Sequence, residues 1–281
     1  MTKSLDHILI KLNSNLIKNE YKNIINYLKE NNIKERIRIR IIERYKLPEN
    51  LILYFLMGIL PIWAAIYDYT IYIPIYYAIY AIELGYEILM FRRATAYYSP
   101  LTRSIYFKKK SLEEMINGLL NAFYSNNMKI KEDNIVALKF TGDRIVYYPI
   151  YADKNKDNIE EIISKVVIDA IGAHEISHKI IGRSNIKASA LGYLIYFDIN
   201  NKLYKYEKAK EIIRKNVENC VEYIKNNEEY NPYSIGECYA NITLYKNNFS
   251  IDIKKKIERL KHMKDKDIIG EIKNYVLNYS N

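Results

Sequence analysis

The chain has 281 residues, of which 49% are hydrophobic and 13% aromatic, with 9 Gly, 6 Pro and a formal net charge of +10. That composition excludes a mainly disordered chain and is enough for a real core, in one large domain or two modest ones. Two cysteines, Cys220 and Cys238, are too few to make a disulfide scaffold of it; they read as free thiols, which suits a reducing compartment. The basic residues are spread over several segments with no zinc finger, helix-turn-helix or RNA-binding motif among them, so nucleic acid is not an expected partner.

Residues 1–30 read as amphipathic helix, with Ile8, Leu12, Leu16 and Ile17 on one stripe. From Glu35 to Ile41 charge and isoleucine alternate like a strand, yet Ile33, Ile37 and Ile41 also line one helical face. The expectation is a basic amphipathic helix, which makes residues 1–50 an N-terminal helical region.

An apolar hairpin follows at 51–93. Leu51 to Tyr67 is a run of 17 residues without a charge, and a second run from Thr70 to Phe91 is broken by Glu83 and Glu87. As helices they extend about 25 Å and about 33 Å, against a bilayer core of about 30 Å. Arg36, Arg38, Arg40, Arg44 and Lys46 precede the hairpin; Arg92, Arg93, Arg103 and Lys108 to Lys110 follow it. The turn from Tyr67 to Thr70 has no basic residue, so a membrane-inserted hairpin would leave both termini in the cytoplasm. The alternative is a pair of buried core helices in a soluble cytoplasmic protein, which Glu83 and Glu87 favour because carboxylates in a span need protein or water to face. Residues 1–30 lack the apolar stretch of a cleavable signal peptide.

Residues 94–281 read as one further domain. Ser111 to Tyr124 is a helix by its Leu112, Met115, Ile116, Leu119 and Leu120 stripe. Ile135 to Phe140 and Arg144 to Ile150 are two strands joined at Thr141-Gly142-Asp143. Asp157 and Glu160 form a capping-box pattern opening a long helix that ends near Gly182. Tyr204 to Asn226 is amphipathic, Asn231-Pro232 starts another helix, and a lysine-rich helical region from Ile251 to Leu277 closes the chain. The fold class is therefore α+β, mostly helical, with a short antiparallel hairpin.

Within the long helix lies His174-Glu175-Ile176-Ser177-His178. Residues i and i+4 share one helical face, so both imidazoles reach a single Zn²⁺, and Glu175 is placed to act as general base on its water. With 4 His in the chain, random placement gives roughly 0.004 such motifs per sequence of this length. Zinc needs a third protein ligand, and His7 and His262 carry no motif around them. Glu237, in Gly236-Glu237-Cys238-Tyr239-Ala240-Asn241, is the preferred candidate over Glu218, Glu222, Glu228 and Glu229, because Ala240 on the same face lets two helices approach closely. For a donor to the developing oxyanion, Tyr233, Tyr239, Arg183 and His262 are available, and no spacing singles one out.

These residues resemble the gluzincin metallopeptidases, and most closely the membrane family of HtpX-type and CAAX-prenyl-protease-type enzymes. Those pair an H-E-x-x-H helix with a later E-x-x-A-D helix; here the later segment is Glu237-Cys238-Tyr239-Ala240-Asn241, about 60 residues on. Asn241 in place of aspartate is similar instead to the soluble ImmA/IrrE-like peptidases. The resemblance covers roughly Ser111 to Tyr245 and implies a zincin-like catalytic domain with one Zn²⁺, ligands His174, His178 and Glu237, and Glu175 as base. By the same analogy the strand Arg144 to Ile150 would receive an extended protein or peptide substrate along its edge. The expected function is a membrane-associated zinc endopeptidase. Two alternatives stand beside it: a soluble gluzincin that cleaves a regulatory protein, and a basic membrane- or nucleic-acid-binding scaffold with a vestigial metal site. Substrate specificity and oligomeric state are not legible.

Overall fold

The computed structural model describes residues 11–33, 35, 37–43, 49–59, 73–124, 135–139, 147–151, 158–204 and 207–279. The chain is mostly helical with two small sheets, α+β as the sequence implies. It divides into two compact units, one of residues 1–36 with 113–281 and one of residues 37–112. These cut the chain differently from the three stretches read in the sequence, because a strand on each side of the hairpin joins it.

The unit of residues 37–112 holds strand β1 (Arg38–Ile42), helix α2 (Glu49–Met57), helix α3 (Ile73–Arg93), and strands β2 (Ala96–Ser99) and β3 (Ser104–Lys108). The helix expected around residues 35–41 is thus a strand. The Arg/Ile alternation takes its two-residue period because β1 pairs in parallel with β3, from Arg38 opposite Ser104 to Ile42 opposite Lys108. β2 pairs antiparallel on the other side of β3, giving the order β1-β3-β2. Ile42, Tyr97 and Tyr106 form a small core against Met90, Phe91 and Ala94, so the last turns of α3 belong to this sheet. Of the two apolar runs, the second is the helix α3, while α2 covers the start of the first; residues 60–72 lie outside the described ones.

The other unit begins with α1 (Ser14–Glu30), whose Ile17, Tyr21, Ile24, Tyr27 and Leu28 are its buried stripe. Helix α4 (Lys109–Tyr124) carries the chain from residues 37–112 back into this unit, and strands β4 (Ile135–Lys139) and β5 (Tyr147–Tyr151) pair antiparallel. The expected hairpin is present, with its connection at 140–146 outside the described residues. Then come α5 (Ile159–Ile181), α6 (Asn185–Tyr204), α7 (Glu207–Asn226), α8 (Pro232–Lys246), α9 (Ile253–His262) and α10 (Asp265–Tyr279). The cap of α5 is Asn158, one residue later than the expected Asp157; its side chain accepts from the Glu160 N–H. The chain leaves that helix at Gly182, whose φ of 93° is costly for any residue with a Cβ. The expected C-terminal helical region is present as two helices, with a break at Met263-Lys264.

α8 lies at the centre, with Ser234 to Leu244 all buried and α6, α7 and α10 packed on it. Gly236 makes the contact with α6 possible, since a Cβ there would lie 2.2 Å from the Ile186 carbonyl oxygen. Between α7 and α8, Cys220 and Cys238 form a disulfide with Cα atoms 5.5 Å apart. The free thiols expected from the sequence are thus corrected: two neighbouring helices place these fully buried side chains opposite each other.

Candidate metal centre

His174 and His178 project from one face of α5, as the i, i+4 spacing requires. Their Nε2 atoms face each other at 3.1 Å, with the rings nearly perpendicular. Two nitrogen ligands on a tetrahedral zinc would sit about 3.3 Å apart, so the spacing is compatible with a shared metal and equally with an N–H···N hydrogen bond between the rings.

The outer ring nitrogens fix that orientation. His178 Nδ1 lies 3.0 Å from the Gly182 carbonyl oxygen. A carbonyl only accepts, so Nδ1 carries the proton and the neutral ring turns its Nε2 lone pair towards His174. Burial, opposed by the Gly182 carbonyl and Asn185, holds His178 below the usual imidazole range and so keeps it neutral. His174 Nδ1 lies 3.3 Å from Ser189 Oγ on α6. Gly192, also on α6, allows that helix to press against α5, because a Cβ there would come within 2.9 Å of the His174 backbone. The ring of Tyr233, in the first turn of α8, sits 5.3 Å from the His174 ring.

Glu175 is buried at 7% exposure. Tyr21 of α1 lies near it: burial first, and the Glu175 charge second, push the Tyr21 hydroxyl well above its ordinary range.

Glu237 projects from α8 and is 2% exposed. The Tyr148 hydroxyl of β5 donates to its Oε1 at 2.6 Å, while Oε2 is buried and accepts no hydrogen bond among the described residues. A neutral amide network fixes its backbone. Asn241 Nδ2 donates to the Glu237 carbonyl at 2.8 Å, and Asn241 Oδ1 accepts from Asn216 Nδ2, which also reaches the Tyr193 hydroxyl. The rival carboxylates Glu218, Glu222, Glu228 and Glu229 are all exposed.

The structure therefore brings His174 and His178 together, with Glu237 buried on a helix that also carries Tyr233. Among the described residues no group of three His, Cys, Asp or Glu side chains is gathered closely enough to hold a metal. The two imidazoles fit a zinc ion as ligands. Of the four candidate oxyanion donors, Tyr233 contacts His174, Tyr239 turns to Met263 at 3.6 Å, and Arg183 and His262 are exposed. Tyr148, Ser189 and the His174–Tyr233 contact had no signal in the sequence: they come from a strand and two helices whose packing it does not state.

Comparison of the chain with protein-family models, with curated proteins and with solved structures gives no match.

Proposed function

We propose that the chain is a zinc-dependent endopeptidase of the gluzincin kind, held at a membrane by its apolar hairpin. The observation that carries the peptidase reading is the His174–His178 pair, with Nε2 atoms 3.1 Å apart on the helix that also bears Glu175. His174 and His178 would hold the ion, and Glu237 is the third ligand that the resemblance implies, although it is not gathered with the two imidazoles in this structure. A bound zinc supplies a water acidic enough to act near neutral pH and polarises the peptide carbonyl. Glu175 accepts the proton of the attacking water and passes it to the leaving amine as the C–N bond breaks. Tyr233, whose ring lies against that of His174, would donate to the carbonyl oxygen as negative charge develops on it. The edge of β5 that pairs with no strand among the described residues would align an extended peptide beside these groups.

The test is bound zinc per chain on purified protein, wild type and Glu175→Gln, with casein cleavage in parallel. One zinc in both and cleavage by wild type alone is the expected result, with the variant down by about 10²–10⁴-fold. Freshly purified protein, never exposed to chelator, that carries no zinc and takes none up would overturn the reading.

A further inference from the structure

Residues 37–112 contain eleven of the fourteen large hydrophobic side chains that stand exposed among the described residues. They concentrate on α2 and α3, among them Phe55, Leu56, Ile75, Ile79 and Ile82, the last 67% exposed. A helix apolar on every side is stable only inside something apolar. Among the described residues no helix is long and apolar enough to cross a membrane, so how far this surface reaches depends on where the folded part of the unit ends.

Three contacts locate that end. Lys108 Nζ donates to the Phe91 carbonyl, which puts the C-terminal end of α3 at the Ile42–Lys108 end of the sheet. Four residues back, buried Glu87 accepts from Ser99 Oγ at 2.8 Å, at the opposite end, where Ser99 faces Ser104 and Ser104 faces Arg38. α3 thus flanks the sheet by its last turns, and its part from Ile73 to Tyr86, about 21 Å long, lies beyond the Ser99–Glu87 contact, on the side away from Phe91. α2 runs beside this projection, with the Tyr76 hydroxyl donating to the Met57 carbonyl and Gly58 set against Tyr80. Of the two carboxylates that spoke against a membrane, Glu87 is therefore inside the protein fold, and Glu83, one turn further along α3, stands within about 6 Å of the projection's base, at headgroup depth. The sheet end from which the hairpin projects carries exposed Arg38 and Arg103, with exposed Leu101 in the turn between them and β2. Within residues 37–112 there are ten Lys and Arg against five Asp and Glu.

We infer that the α2–α3 projection enters the hydrocarbon of a bilayer from one side, and that Arg38 and Arg103 rest on anionic phospholipid headgroups at its base. The projection is longer than the roughly 15 Å of one leaflet's hydrocarbon, and a basic collar where it emerges complements a negatively charged surface. This rests on the membrane half of the proposed function and is independent of the peptidase half.

The experiment floats the full-length chain with vesicles of phosphatidylcholine alone and of phosphatidylcholine with phosphatidylglycerol, at low and high salt. Wild type is expected to float with both, about tenfold more tightly with the anionic vesicles at low salt, and high salt should narrow that difference. The double variant Arg38→Glu/Arg103→Glu should still float but lose the preference. Ile79→Glu/Ile82→Glu should not float while keeping its helical circular dichroism. Equal binding of wild type to both vesicle types overturns the headgroup contact and leaves the membrane reading standing. Failure to float with either overturns both. A dimer that persists in the presence of vesicles would assign the apolar face to a second copy and overturn the inference.

Discussion

Tyr148 of β5 donates a 2.6 Å hydrogen bond to Glu237 of α8, joining a strand and a helix 89 residues apart in the sequence. The donor itself is held firmly: its ring packs edge-on against Tyr193 at 4.8 Å and Tyr196 at 5.0 Å, both on α6. A carboxylate fixed through one oxygen presents the other in a defined direction, which is how the partners of metal-binding carboxylates raise affinity. Tyr148→Phe keeps the ring packing and removes only the hydroxyl. Zinc affinity, measured by competition with a chromophoric chelator, should fall about 10–100-fold. Unchanged affinity would show that the hydroxyl does not orient a ligand.

Asn241 stands where the membrane peptidases that the sequence resembles have aspartate, and its contacts account for the amide. It donates through Nδ2 to the Glu237 carbonyl and accepts through Oδ1 from Asn216, with both side chains fully buried. An ionised aspartate only accepts, so Asn241→Asp would leave the Glu237 carbonyl without its donor and bury a charge. The expected cost is about 1–3 kcal/mol, read as a lower midpoint in urea denaturation at neutral pH. Because the damaged carbonyl belongs to Glu237, zinc affinity should fall in the same variant. A midpoint equal to that of wild type would mean that the network tolerates the charge.

The Cys220–Cys238 bond ties α7 to α8 next to Glu237. Its sequence separation is 18, and closing a loop of that size in the unfolded chain stabilises by about 3 kcal/mol. Intact mass under denaturing, non-reducing conditions should be two hydrogens below that of the reduced chain. Reductant, or Cys220→Ser, should lower the denaturation midpoint accordingly. Alkylation of both thiols in the unreduced, denatured protein would show that the bond is not formed.

How much of this was legible follows from the distance over which each feature is determined. The histidine pair is set by one helical turn, so His174 and His178 could be placed from spacing alone. Glu237 was reachable because it follows a capped helix start and sits beside small residues. Arg38 to Ile42 was misread because Ile33, Ile37 and Ile41 satisfy a helical period as well as an alternating one; the partner that decides, β3, lies more than 60 residues on. Helix α6 has no legible period in the sequence, for a different reason. It is buried nearly all round from Ala188 to Phe197, so no polar face marks its period. The cysteine pairing and the Tyr148 contact are purely tertiary, and one tyrosine among 29 carries no mark of its partner.

A half-buried acid away from the metal centre, with one carboxylate oxygen enclosed, gives a prediction about pH. Asp169 of α5 has its Oδ1 buried with no hydrogen-bond partner among the described residues. Burial, reinforced by the charge of Glu20 on α1 and opposed by Lys165 one turn back, holds its carboxyl well above the usual range. Glu20 is itself raised, chiefly by burial, with Lys165 and Asn23 pulling the other way. The folded state thus keeps protons that the unfolded chain releases near pH 4. The contribution to stability is full below that pH and is lost progressively as pH rises through the folded-state value. Asp169→Asn removes the ionisation at this site. The variant should therefore be more stable than wild type at pH 7, and the difference should shrink as pH falls towards 4. Urea denaturation midpoints of both proteins across that range would check this, and a difference that does not change with pH would show that Asp169 does not titrate in this way.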